Sequence, residues 1–259
     1  MQEVEGREQA FWDSRANHSF GGVRYYGDLV NTDDAKLINL HTYALGLLGS
    51  LEEKRILDCG CGYGALSCHL AKQGARVTAI DISAASVNHA QEWFRLNGVH
   101  DRIETRVGSL HELPFEDASF DIVVGSCILH HLDLRLFGAE LRRVLKPGGR
   151  AVFVENNAKS RLLMFFRNRI LTALNMRRGS SDESPMDEEK LDQLRAHFPG
   201  LRLHYPEMVF FRLGASFFFQ DNGFIRKAME ALDSAVVRAF PSWGAYSYFD
   251  VIDIPGGPR

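Results

Sequence analysis

The chain has 259 residues, of which 45% are hydrophobic and 24% are charged, and its formal net charge at pH 7 is -3. This composition is typical of a globular protein with one large α/β domain and a modest appendage, and it excludes a basic protein drawn to nucleic acid by charge. The four cysteines lie in apolar segments and the N-terminus is too polar for a signal peptide. We therefore expect a cytoplasmic protein without disulfides.

The first fifty residues predict helices, one of which opens near Asn31. From about Arg55 to Asn156, short β-branched runs alternate with amphipathic stretches, a pattern typical of a parallel, doubly wound sheet. The turn LKPGG predicts the end of the third helix of this region. The predicted strands are RILDC, RVTAID, RIETRVG, FDIVVGS and RAVFVEN, and the predicted helices lie near 65–72, 84–97 and 137–145.

After the fifth strand, residues 159–178 predict a helix that mixes arginines with leucines and phenylalanines. Such a helix can cover a substrate by packing its apolar side on the domain, or it can lie on a membrane surface, and we favour the cover. A polar break and the acidic-started helix DEEKLDQLRAHF follow. The remainder, from Leu201, predicts a strand, a helix near 222–239 and the final strand YSYFDVIDI.

The loop after the first strand, in RILDCGCGYGALS, indicates a ligand site. Gly60, Gly62 and Ala65 fit the dinucleotide pattern G-x-G-x-x-G/A, whereas the absence of a following GK[ST] excludes a P-loop. Asp58 would face a pyrophosphate with like charge, so a ligand with a positive group, such as an α-ammonium, fits better. The glycines allow the backbone to approach that ligand closely.

Two further positions follow neighbouring strands. Asp81 ends the second strand, about twenty residues after Gly60, where a carboxylate can accept both hydroxyls of a ribose. Ser109 and Leu110, after the third strand, can flank an adenine, with the hydroxyl taking the exocyclic amine and the leucine covering a ring face. Together these positions predict a nucleoside ligand with a cationic end.

The segments ILDCGCGYG, VTAIDIS, LPFEDASFDIVVGSCILHHL and LRRVLKPGGRAVFVE resemble, in this order, the class I S-adenosylmethionine-dependent methyltransferases, especially the small-molecule group typified by ubiquinone and sterol methyltransferases. The resemblance covers about two-fifths of the chain and implies S-adenosylmethionine as the cofactor. It implies Gly60, Cys61 and Gly62 at the methionine moiety, Asp81 at the ribose, Ile82, Ser109 and Leu110 around adenine, and Ser126 after strand four. The family often has Asp at the position of Ser109, so adenine recognition here can rest on backbone groups.

The resemblance also implies a fold and a division of the chain. The expected fold is a doubly wound, Rossmann-like, seven-stranded and mostly parallel sheet with helices on both faces. We expect an N-terminal helical lid at 1–50, the cofactor-binding core at 51–158, a helical substrate cover at 159–200 and the C-terminal part of the sheet at 201–259.

Transfer of a sulfonium methyl is an in-line displacement, helped by a base when the nucleophile carries a proton. SCILHHLD follows strand four and offers His130 and His131. Resemblance to phosphoethanolamine-type enzymes favours His131, partnered by Tyr25 or Tyr26 of the lid. The alternative is that the histidines cap the turn and the tyrosines only pack. No metal site is expected, because no second ligand cluster accompanies the C-x-C of the glycine loop.

The sequence thus predicts an enzyme that methylates a small molecule on oxygen, nitrogen, carbon or sulfur. The aromatic segment VFFRLGASFFF either lines a pocket for an apolar or aromatic acceptor or fills the core. Glu155 and Asn156 end strand five as substrate contacts or as a capping pair. An NAD(P)-dependent oxidoreductase and a non-catalytic cofactor-binding module are the alternatives. The sequence indicates neither a nucleic-acid substrate nor an oligomeric state.

Overall fold

The computed structural model describes residues 2–19, 35–173, 185–213 and 222–256. Its strands are β1 (Arg55–Cys59), β2 (Arg76–Asp81), β3 (Ile103–Val107), β4 (Phe120–Ser126), β5 (Leu145–Asn156), β6 (Arg202–His204) and β7 (Phe249–Ile254). Its α-helices are α1 (Gln2–Ser19), α2 (Ala35–Gly46), α3 (Ala65–Lys72), α4 (Ala84–Leu96), α5 (Leu134–Val144), α6 (Arg161–Phe165), α7 (Glu188–His197) and α8 (Gly223–Ala239). Short 3-10 turns cover His100–Arg102, Leu129–His131 and Pro241–Tyr246, and Phe166–Leu171 is a π-helix.

The strands form one sheet in the order β3-β2-β1-β4-β5-β7-β6. Strands β1 to β5 pair in parallel, whereas β7 runs antiparallel to both β5 and β6. The strand order reverses between β1 and β4, and ligands of open α/β sheets bind beside the carboxyl ends of strands at such a point. The mostly parallel, seven-stranded sheet expected from the sequence is confirmed.

Helices cover both faces of this sheet. The adjacent β1 residues Ile56 and Leu57 belong to different buried apolar clusters, because successive side chains of a strand point to opposite faces. One cluster takes residues from α3 and α4, and the other takes residues from α5 and α7. Helix α2 adds a third cluster over β5 and β7 through Leu40 and Ala44.

The boundaries of α5 depend on its caps. The helix begins at Leu134, three residues before the predicted start, because the Asp133 carboxylate accepts the N–H of Arg135 at 3.0 Å. It ends at Val144, where the LKPGG turn begins. The strand pairing of β4 with β5 then skips from Leu145 to residue 150, so residues 146–149 bulge out of the ladder.

The segment after β5 is only partly described. Residues 161–165 form α6 and residues 166–171 form the π-helix, so the predicted single helix changes its winding. Leu163 is buried, whereas Leu162 and Phe165 are exposed. Among the described helices, none is both long enough and apolar enough to cross a membrane.

Candidate functional site

The glycine loop leaves β1 at the switch point of the sheet. The N–H groups of Gly60 and Cys61 both donate to the carbonyl oxygen of Ile80, at 2.9 and 3.0 Å, which ties the loop to β2. Gly60 has φ +67°. The loop therefore turns sharply into α3, as the glycine pattern predicts.

The next two glycines differ in what surrounds them. A Cβ on Gly62, which has φ +51°, would meet no heavy atom within 4 Å. A Cβ on Gly64, which has φ +83°, would overlap the ring of Phe94. The backbone at Gly62 thus faces open space that a ligand can enter, whereas Gly64 allows α3 to pack closely on α4.

Asp81, at the end of β2, is hydrogen-bonded to the glycine loop through its side chain. Its carboxylate accepts the N–H of Gly62 at 2.8 Å and the N–H of Ser83 at 2.9 Å. Burial raises the pKa of Asp81 despite these hydrogen bonds. A carboxylate has about four acceptor positions, so a ribose can still donate both hydroxyls to this one.

Asp58 lies deeper in the loop, with 1% of its surface exposed. The hydroxyl of Ser67 donates to it at 2.5 Å. Burial, and to a smaller extent the charge of Asp81, raises the pKa of Asp58 to about 7. A neighbouring cation would favour the ionised form of this carboxyl group, which agrees with a ligand that carries an ammonium group.

The cysteines of the loop have no signs of reactivity. Burial raises the pKa of the thiols of Cys59 and Cys61 well above the usual value, so both remain neutral. Within the described ranges, no three His, Cys, Asp or Glu side chains are grouped as a metal site would need.

The predicted adenine residues lie together after β2 and β3. The hydroxyl of Ser109 donates to Glu5 at 2.5 Å and accepts the N–H of His111 at 3.0 Å. Leu110 is buried in the apolar cluster under the loop, and Ile82 is half-buried. The serine hydroxyl keeps an acceptor position for a further donor.

Helix α1 lies across these loops and contacts them through carboxylates. Glu5 accepts hydrogen bonds from Ser109 and His111, and these outweigh burial and lower the pKa of Glu5. Asp13 accepts the hydroxyl of Ser83 at 2.6 Å, beside the start of α4. Neither acid was predicted from the sequence. Glu5 belongs to a set at helical spacing, residues 5, 8, 12 and 16, which lies on one face of α1.

His130 is held inside the protein. Its Nδ1 lies 2.7 Å from a carboxylate oxygen of Glu155, whose other oxygen accepts the N–H groups of Ile128 and Leu129, both at 2.7 Å. The ammonium group of Lys190 donates to the carbonyl oxygen of His130 at 2.9 Å. Glu155 therefore caps the turn, the second of its two predicted roles.

His131 faces α1 instead. Its Nδ1 lies 3.2 Å from Oε2 of Glu8, and its ring meets the edge of Trp12 with centroids 5.8 Å apart. The ring centroids of His130 and His131 are 4.2 Å apart. Ser126, at the end of β4, shares a 3.1 Å hydrogen bond with His41 of α2. Tyr25 and Tyr26 lie outside the described residues.

The sheet order, the glycine loop and the carboxylate after β2 define a class I methyltransferase fold. Residues 57–153 match a family model described as a methyltransferase domain. This part of the chain is therefore similar to a methyltransferase domain.

Several characterised proteins are similar over this range. A glycine/sarcosine/dimethylglycine N-methyltransferase of Actinopolyspora halophila is 37% identical over 40% of this chain and 19% of its own length. A sterol 4-C-methyltransferase of Caenorhabditis elegans is 32% identical over 45% of this chain and 35% of its own length. A 27-O-demethylrifamycin SV methyltransferase of Amycolatopsis mediterranei is 33% identical over 54% and 50%. The chain thus spans half or less of each relative.

Solved structures show the same fold over a longer range. Geranyl diphosphate C-methyltransferase from Streptomyces coelicolor aligns with a TM-score of 0.62 and 16% identity over 98% of both chains. An S-adenosylmethionine-dependent methyltransferase from Aquifex aeolicus aligns with a TM-score of 0.51 and 22% identity over 69% of this chain and 88% of its own. At these identities the likeness concerns the fold alone.

Proposed function

We propose that this chain transfers the methyl group of S-adenosylmethionine to a small-molecule acceptor. The observation that carries the proposal is the pair of carboxyl groups, Asp58 and Asp81, at the ends of neighbouring strands beside an open stretch of backbone at Gly62. A dinucleotide would bring diphosphate oxygens to this loop, and the two acids would repel them. A cationic sulfur nucleoside brings an ammonium group and a ribose instead.

Each end of the cofactor has a partner in this arrangement. Asp81 accepts the ribose hydroxyls, and Asp58 neutralises the α-ammonium group near Gly60–Gly62. Ser109 accepts the exocyclic amine of adenine, because its own proton is donated to Glu5. Cys61, Ile82, Leu110 and Ser126 complete the cofactor site.

The cofactor supplies an activated methyl group, so the chain has to place the acceptor in line with the carbon–sulfur bond and to exclude water. When the acceptor carries a proton on its nucleophilic atom, His131 takes it as a general base. The buried contact with Glu155 supports a structural role for His130, and we therefore propose His131 as the base. Tyr25 of the lid is the proposed partner of this base.

The acceptor is recognised by the segments that cover the cleft. The similar proteins are named for different acceptors, among them glycine, a sterol and malonyl-[acyl-carrier protein]. Since the matched range is the cofactor-binding part, the acceptor of this chain depends on residues 1–50 and 159–200. The methylated atom is oxygen, nitrogen, carbon or sulfur.

Calorimetric titration of the full chain with S-adenosylhomocysteine and, separately, with NAD tests the proposal. We expect heat with S-adenosylhomocysteine only; tight binding of NAD alone would establish the oxidoreductase alternative. Methyl-labelled S-adenosylmethionine is then offered with a panel of small acceptors. Binding without transfer to any member would favour the non-catalytic module.

A further inference from the structure

We infer that Glu8 of α1 is a positioning residue that orients His131 and holds its proton on Nδ1. The inference deepens the proposed function, because it names what prepares the proposed base. It rests on the position of the Glu8 carboxylate, which α1 places against the turn after β4.

Glu8 is unusual for an acid on a terminal helix, since only 8% of its surface is exposed. Its Oε2 accepts the indole N–H of Trp12 at 3.0 Å and lies 3.2 Å from Nδ1 of His131, an ion-pair distance at which this buried nitrogen makes no hydrogen bond within the described residues. The side chain of His131 is 9% exposed. A buried carboxylate this close to one ring nitrogen selects the tautomer with the proton on that nitrogen.

The surroundings of His131 strengthen this assignment. The neighbouring ring of His130 is tied to Glu155, and the ammonium group of Lys190 lies on the carbonyl of His130 rather than on the His131 ring. Among the described residues that pack around His131, Glu8 supplies the carboxylate beside Nδ1. With Nδ1 protonated, Nε2 is the nitrogen that can accept a proton from an acceptor.

Helix α1 fixes Glu8 between two anchors. Glu5 is bound to the turn after β3 through Ser109, and Asp13 is bound beside α4 through Ser83. The carboxylate of Glu8 therefore reaches His131 only when α1 is seated on the loops that we assign to the cofactor. The same helix then joins the cofactor side of the site to the base.

Nuclear magnetic resonance of histidine-¹⁵N-labelled full chain tests the inference, with the His131 signals assigned through His131→Asn. In the parent we expect the Nδ1-protonated tautomer. In Glu8→Gln we expect the Nε2-protonated tautomer to gain population, because a neutral amide attracts the proton on Nδ1 less strongly than a carboxylate does. Glu8→Asp, which keeps the charge, should restore most of the parent tautomer ratio.

Glu3→Gln is the matched control, since Glu3 lies on the same helix, is exposed and pairs with Arg7. It should leave the His131 tautomer unchanged. An Nε2-protonated tautomer in the parent, or the same tautomer ratio in parent and Glu8→Gln, would overturn the inference. If Glu8→Gln does not fold, the tautomer of His131 in the parent still tests the inference. These spectra need neither cofactor nor acceptor, so their failure is distinct from a failure to bind S-adenosylhomocysteine.

Discussion

The loops at the carboxyl ends of β1 to β4 and the segments that cover them are built in different ways. The loops are joined by short-range contacts, such as the Asp81 carboxylate on the N–H of Ser83, and by glycines with positive φ. Helix α1 is attached by side chains that contact residues distant in sequence, such as Glu5 on His111, 106 residues away. The loops that we propose for the cofactor are thus encoded locally, whereas the helix over them depends on long-range packing.

The largest expected effect concerns the packing of the glycine loop. Gly64→Ala combines a strained positive φ with overlap of the Phe94 ring, so we expect the free energy of unfolding to fall by about 3 kcal/mol. Gly62→Ala has the same kind of φ but open space, and we expect a loss of about 1 kcal/mol. Urea denaturation measures both. Equal losses would show that the close approach of α3 to α4 does not matter.

The next largest effect is expected on the affinity for S-adenosylhomocysteine when Asp81 is changed. Asp81→Ala removes the proposed acceptor of two ribose hydroxyls and should weaken binding of S-adenosylhomocysteine by about 2 kcal/mol, measured by calorimetry. Asp101→Ala changes an exposed acid before β3 and serves as the control. Unchanged affinity in Asp81→Ala would place the ribose elsewhere.

Titration of Asp58 is expected to change the free energy of unfolding by at most about 1.4 kcal/mol per pH unit. Its folded-state pKa of about 7 lies above the usual value of 3.8, so the folded chain binds the extra proton. This group therefore lowers the free energy of unfolding as pH rises from about 4 to about 7, with no further change above that range. Asp58→Asn should make the slope shallower by this part, while Asp250, whose pKa burial raises to about 8, continues to contribute.

Protonation of the Asp58 carboxyl group also tests where the ligand's ammonium group binds. If the ammonium group of S-adenosylhomocysteine lies beside Asp58, binding near pH 7 should release about half a proton, seen as a dependence of the binding enthalpy on the ionisation heat of the buffer. Asp58→Asn should abolish the release. Proton uptake in the parent would contradict the proposed contact.

The smallest effect is expected in the cover. Phe165 is 57% exposed, so Phe165→Ser should change the free energy of unfolding by less than about 0.5 kcal/mol. The buried neighbour Leu163 gives the contrast, since Leu163→Ala should cost about 2 kcal/mol or more. A large loss with Phe165→Ser would show that this side of α6 packs on the domain.

Sequence reasoning predicted the sheet well because each element carries its own signal. Apolar runs such as RILDC and RAVFVEN mark strands regardless of their partners, and glycines mark the loop. The role of Glu155 stayed open between substrate contact and cap, because the choice depends on a turn 25 residues earlier. Glu8 and Trp12 share one face of α1 by their spacing, but nothing near them in the sequence indicates what that face contacts. Their importance comes from His131, which lies beside them only after folding.

The attachment of α1 has a kinetic consequence. The hydrogen bonds that the carboxylates of Glu5 and Asp13 accept from serine hydroxyls can be replaced by hydrogen bonds to water at small net cost. A helix held in this manner can lift away and return without exposing the apolar interior of the sheet. For the proposed function, such movement would let the bulky cofactor enter and leave while the strands beneath it stay fixed.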